Sequence, residues 1–117
     1  MNRVYLLLII LLSWPALAGE QPPSPLFVVH IETGPAWRRD VPPKAQTGFA
    51  EHAANMQRLR QQGIIAFGAR YEEFGMLVFR VASEQEAKAI MDADPGVSGG
   101  IFNYRVAPLS VFYPWQQ

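Results

Sequence analysis

Residues 49–69, FAEHAANMQRLRQQGIIAFGA, hold this chain to a narrow set of folds. Phe49, Ala53, Met56 and Leu59 recur at helical spacing and form one apolar stripe. Arg58, Arg60, Gln61 and Gln62 lie off that stripe, where they stay in water. Gly63 follows, the residue type that most readily takes the left-handed conformation at a helix C-terminus. Ile64-Ile65-Ala66-Phe67 then reads as a buried strand. A helix that turns back into a strand this abruptly predicts a compact α+β unit. His52 sits beside the stripe, near the helix start.

The flanking stretches supply the other elements. Leu26 to Thr33, LFVVHIET, predicts a first strand that Gly34-Pro35 ends. Behind the central helix, Arg70 to Phe74 reads as a turn and Gly75 to Val81 as a third strand, paired with the second as an antiparallel hairpin. Ser83-Glu84-Gln85-Glu86 is a capping box, in which Ser83 accepts from the Glu86 N–H and the Glu86 side chain reaches back. A second helix is expected from Glu84 to Met91, burying Ala87, Ile90 and Met91. Asp94-Pro95 stops it, and Gly96, Gly99 and Gly100 predict a flexible loop. Ile101 to Ala107 is the last strand, with Phe102, Tyr104 and Val106 on one face. Pro108 marks an edge or a bulge. Beyond it, Leu109 to Tyr113 can resume pairing, with a second subunit as the partner.

The order β-α-β-β-α-β is the split βαβ arrangement of ferredoxin-like domains: a four-stranded antiparallel sheet with two helices on one face. The first strand then leaves either Leu26, Val28 and His30 or Phe27, Val29 and Ile31 on the uncovered face. Both sets are too apolar to face water. A second copy laid face to face covers that surface, so a homodimer enclosing a cavity is expected.

The N-terminus reads as an export signal. Arg3 precedes an 11-residue apolar core from Val4 to Trp14, and Ala16-Leu17-Ala18 offers a small-x-small cleavage site. That core falls short of the roughly 20 residues of a membrane span, so no stable span is expected after cleavage; the competing reading is an uncleaved anchor. Residues 1–18 are assigned as signal peptide, 19–25 as a Pro-rich linker and 26–117 as the folded domain, with a secreted or periplasmic destination. Cleavage takes 18 residues from 117 and leaves 99, enough for one small domain with a thin core. The chain has no cysteine, which removes disulfides, thiol catalysis and a lipoprotein anchor. Its 10 basic and 10 acidic residues form no basic patch, so nucleic acid is not an expected partner.

Residues 34–46, GPAWRRDVPPKAQ, form a loop long enough to favour function or mobility over bare connection. Trp37 either lines a pocket or covers the edge of the core. Arg38 and Arg39 either meet an anionic ligand or are simply solvated. The two histidines and scattered carboxylates show no metal-ligand spacing, and no cofactor fingerprint is visible.

From Leu26 to Tyr113 the chain resembles the YCII-related proteins, small ferredoxin-like domains that pair into a dimeric α+β barrel. The shared pieces are the LFVVHIE strand, a helix with His52 and Gly63, the capped second helix, Asp92-Ala93-Asp94-Pro95 and the GIFNYRVAPL stretch. The resemblance implies an acid/base dyad of His52 and Asp94 in a cavity, acting on a small, often aromatic molecule without a cofactor. His30, Trp37, Arg38 and Arg70 are the candidate substrate-binding residues around it. The chain departs from the family in carrying Gly68-Ala69 where Gly-Pro is frequent. It also has Gly96 where an aromatic residue often follows Asp-Pro.

The chemistry of such a pair is plain. Histidine exchanges a proton near neutral pH, and a carboxylate on one ring nitrogen fixes the tautomer and makes the other nitrogen a better base. An Asp-Pro at a helix end is also common for turn reasons alone. Two functions therefore stand: an isomerase- or lyase-like enzyme transferring protons through His52 and Asp94, or a non-catalytic dimer binding a small ligand outside the cytoplasm. The helix order is expected to put both helix starts at one end of the sheet, so that Asp94 reaches His52 only by way of the flexible loop. His30 is expected to help line the same cavity.

Overall fold

The computed structural model describes residues 24–116. Residues 1–18, expected to be a signal peptide, the expected linker before Ser24, and Gln117 lie outside the described residues. The strands are β1 (Leu26–Thr33), β2 (Ile65–Tyr71), β3 (Phe74–Arg80) and β4 (Phe102–Leu109). The helices are α1 (Phe49–Gln61), α2 (Glu84–Asp92) and α3 (Pro95–Ser98), with a 3-10 turn at Pro43–Ala45. The sheet order is β2-β3-β1-β4, and each neighbouring pair is antiparallel. This is the ferredoxin-like βαββαβ fold expected from the element order.

Strand alternation sorts the side chains. Phe27, Val29 and Ile31 of β1 are buried, and they share the helix-covered face with Phe79 of β3. Leu59 of α1, Ala87 and Met91 of α2, and Ile65 close over them. Each fully buried large side chain contributes about 1.5–3 kcal/mol relative to exposure. Leu26, Val28 and His30 take the uncovered face, which settles the alternative left by the sequence.

Several local expectations change. Ala53 is exposed, and the inward stripe of α1 runs instead through Phe49, His52, Asn55, Met56 and Leu59. Two of its five positions are polar, because they face a buried carboxylate rather than the sheet. β2 is an edge strand of which only Ile65 is buried, not the buried strand that Ile64 to Phe67 suggests. The Glu86 carboxylate reaches back to the Ala82 N–H at 3.0 Å, while Ser83 Oγ accepts from Glu86 N at 3.1 Å. β4 is the other edge, which tolerates Pro108 in unbroken register opposite Phe27. Residues 34–46 are tied down by buried Gln46, whose side chain bonds Arg38 and Val41, and by Gly34 N–H to Ile101 O at 2.8 Å.

The strand directions also correct the expected placement of the helices. β1 and β2 run the same way and β3 runs against both. α1 leaves the end of β1, whereas α2 leaves the opposite end of the sheet, after β3. The start of α1 and the end of α2 therefore meet at one end. Asp94 needs no flexible loop to reach His52, and the residues after it form the short helix α3.

Candidate functional site: a buried aspartate under a histidine

Asp94 follows α2 and acts as the N-cap of α3. Its backbone is extended, as an N-cap requires, and Pro95 occupies the first helical turn, where a missing N–H costs nothing. Oδ2 accepts from the Gly96 N–H at 3.0 Å and the Val97 N–H at 3.3 Å. Across the helix interface, His52 Nδ1 lies 2.7 Å from the same oxygen. Asn55 Nδ2 donates to Oδ1 at 2.7 Å. His52 and Asn55 are three residues apart on α1, so both reach one point beside the helix.

Asp94 is 0% exposed, yet all four contacts suit an ionised carboxylate. Burial pushes its carboxyl pKa up. The His52 and Asn55 hydrogen bonds, the His52 charge and the Val97 N–H outweigh burial and hold it below its ordinary value of 3.8. A carboxylate can only accept, so His52 Nδ1 carries the proton. In the neutral ring, the lone pair then sits on Nε2. Among the described residues Nε2 has no hydrogen-bond partner, and no buried side-chain nitrogen or oxygen is left unpaired. Nε2 is therefore open to solvent.

What lies beside His52 is a cavity of about 440 Å³. Trp37, Phe49, Met56 and Phe102 line it, with Ile31 and Leu77 of the sheet. The Phe102 ring centre is 4.6 Å from that of His52 and 5.7 Å from that of Trp37. Gly96 is fixed by this packing: a Cβ there would come within 2.8 Å of Phe102 Cδ2 and 3.0 Å of both His52 Nδ1 and Asp94 Oδ2. Phe102 thus fills the space that a side chain at position 96 would need.

The remaining candidates divide. Trp37 and Arg70 line the His52 cavity. Arg38 does not line it; its guanidinium pairs with Asp40 at 2.9 Å on the exposed loop. His30 lies on the other face of the sheet, where Nδ1 meets the Tyr71 hydroxyl at 2.8 Å, and so does not share the cavity with His52. The sequence reading missed Asn55, although its place one turn beyond His52 on the inward stripe was the available signal. Arg58 donates to Asn55 Oδ1, which fixes the amide with its NH2 toward Asp94. Among the described residues no group of three His, Cys, Asp or Glu could hold a metal ion, and no helix is long and apolar enough to cross a membrane.

The fold and the pair together define a ferredoxin-like α+β domain with a histidine–carboxylate couple at a small apolar cavity. The profile of the YCII-related domain matches residues 26–110, and the chain belongs to that family. A search among curated proteins gave no match.

Proposed function

We propose that the protein is an enzyme that moves a proton on a small, largely apolar molecule, with His52 as the acid/base and Asp94 as its fixed partner. The observation that carries this reading is the 2.7 Å contact between His52 Nδ1 and a fully buried carboxylate, beside an apolar cavity. Nε2 takes a proton from a carbon next to a carbonyl or an equivalent activating group. The resulting imidazolium is stabilised by Asp94, and it returns the proton to another carbon or to a departing group. The first outcome is an isomerisation and the second an elimination. Neither calls on a cofactor.

The same reading includes export by residues 1–18 and a homodimer. The dimer is supported by the uncovered sheet face, where Leu26, Val28, Met76 and Val78 sit together with Phe67 and Tyr71, 45% and 46% exposed.

A second reading has its own support. Asp94 also caps α3 and ties α1 to it, so the pair can serve as a structural clasp in a non-catalytic ligand carrier. Deuterium uptake in D2O, followed by proton NMR, separates the two. A panel of ring ketones, unsaturated lactones and oxo acids should contain members whose C–H exchange is accelerated by the protein and not by His52→Gln. No acceleration across the panel, or equal acceleration by the variant, favours the clasp.

A further inference from the structure

The His52 cavity reaches the outer edge of the sheet at Arg70 of β2. Arg70 pairs in register with Gly75, which pairs in turn with Ile31, so Arg70 belongs to the helix-covered face. Gly75 places no side chain between Arg70 and Ile31. The cavity floor beside the arginine is therefore bare backbone.

Arg70 makes no ion pair among the described residues. Two carboxylate residues share its cavity, Glu32 and Glu73. Glu32 turns its carboxylate to the other face of the sheet, 3.7 Å from His30 Nε2. Glu73 is an exposed residue of the β2–β3 turn and stays beyond ion-pair distance of Arg70.

We propose that the ligand of this cavity is a small, flat, largely apolar acid. Its carboxylate is held by Arg70, and its body lies among Trp37, Phe49 and Phe102. The inference rests on reading the His52 cavity as a small-molecule site. A guanidinium is a planar fork that matches a carboxylate with two parallel hydrogen bonds, and one without a protein partner is ready to form them. Arg70 also stands on an exposed edge strand, so the ligand carboxylate stays partly in water while its apolar body enters the pocket. That division avoids the large cost of burying a charge. An amine ligand would instead require Glu73, the other charged residue at the rim of this cavity, and would leave Arg70 without a partner.

The test uses three probes with one body: trans-cinnamate, cinnamamide and cinnamylamine, titrated into the protein and followed by calorimetry. Cinnamate should bind about tenfold more tightly than cinnamamide, the usual scale of one charge-assisted contact at a partly wet site. Arg70→Gln should abolish that difference, and Glu73→Gln should tighten cinnamate by removing a competing carboxylate. The proposal is overturned if cinnamylamine binds best, if acid and amide bind alike, if Arg70→Gln changes nothing, or if none of the three binds. His52→Gln keeps this result separate from the catalytic reading. That variant should bind cinnamate through Arg70 whether or not the wild-type protein exchanges any carbon-bound proton.

Discussion

The Nδ1 atom of His52 and the Oδ2 atom of Asp94 lie 2.7 Å apart, across the meeting point of two helices far apart in the chain. The histidine side chain keeps 12% of its surface in contact with solvent and the aspartate keeps none. One end of the pair is therefore open to a ligand, while the other is locked into the fold.

That asymmetry predicts different costs for the two substitutions. His52→Gln should abolish proton transfer with a small effect on stability. Asp94→Asn places an amide NH2 among donors, leaving at least one buried group unsatisfied, and should cost about 1–3 kcal/mol. Thermal melts of both variants check this. Equal and negligible losses would show that the carboxylate is not needed by α3.

Acid should act through the same carboxylate. Its pKa in the folded protein lies below the ordinary value of 3.8, so its contribution to stability is complete above that pH. The contribution is lost as pH falls below 3.8 and through the lower folded value. Denaturant titrations of the wild type should weaken over that range. Asp94→Asn should show a shallower acid dependence there.

Asn55 is predicted to hold the far oxygen of Asp94. Asn55→Ala should remove one donor to a buried charge, cost about 1.5–3 kcal/mol, and raise the Asp94 titration midpoint. Carbon NMR of the Asp94 carboxyl reads the shift directly. An unchanged midpoint would reduce Asn55 to a packing residue.

Gly96→Ala should be poorly tolerated although the backbone there is ordinary helix. The added methyl meets Phe102 at 2.8 Å and the His52–Asp94 pair at 3.0 Å, and overpacking of this kind costs about 1–3 kcal/mol. Gly96→Ala with Phe102→Leu should recover part of the loss.

Much of this was legible in the chain before any fold was seen. The apolar run LFVVHIET, the capping box at Ser83 and the Gly63 break each act locally, and local chemistry survives folding unchanged. Most of the failures are non-local. Ala53 suits a helix stripe by type, but its direction is decided by what packs opposite, and His52 and Asn55 face the carboxylate instead. Gly96, Gly99 and Gly100 suggest a flexible loop, yet Asp94 caps a helical turn there through the Gly96 and Val97 N–H groups, a local Asp-Pro signal that the glycines outweighed in the reading. The burial of the second strand was overstated for a non-local reason: sequence shows that Ile65 to Phe67 is apolar, not that its strand lies at the sheet edge. His30 lies opposite the helices, so expecting it beside His52 required two faces of one sheet to share a cavity.

The dimer is predicted from that uncovered face. Light scattering of the chain lacking residues 1–18 should return about twice the mass of its 99 residues. Val28→Asp, at the middle of the face, should shift the protein toward monomer. A wild-type monomer at micromolar concentration would remove the second copy from the proposal.

The central claim is that His52 presents a bare, basic Nε2 to the cavity because Asp94 holds the proton on Nδ1. Long-range proton–nitrogen NMR of the His52 ring measures this directly. In the neutral ring the account predicts a protonated Nδ1 coupled to Asp94 and an unprotonated Nε2, a pattern that Asp94→Asn should disturb. A neutral ring protonated on Nε2, in the wild-type protein, would contradict it.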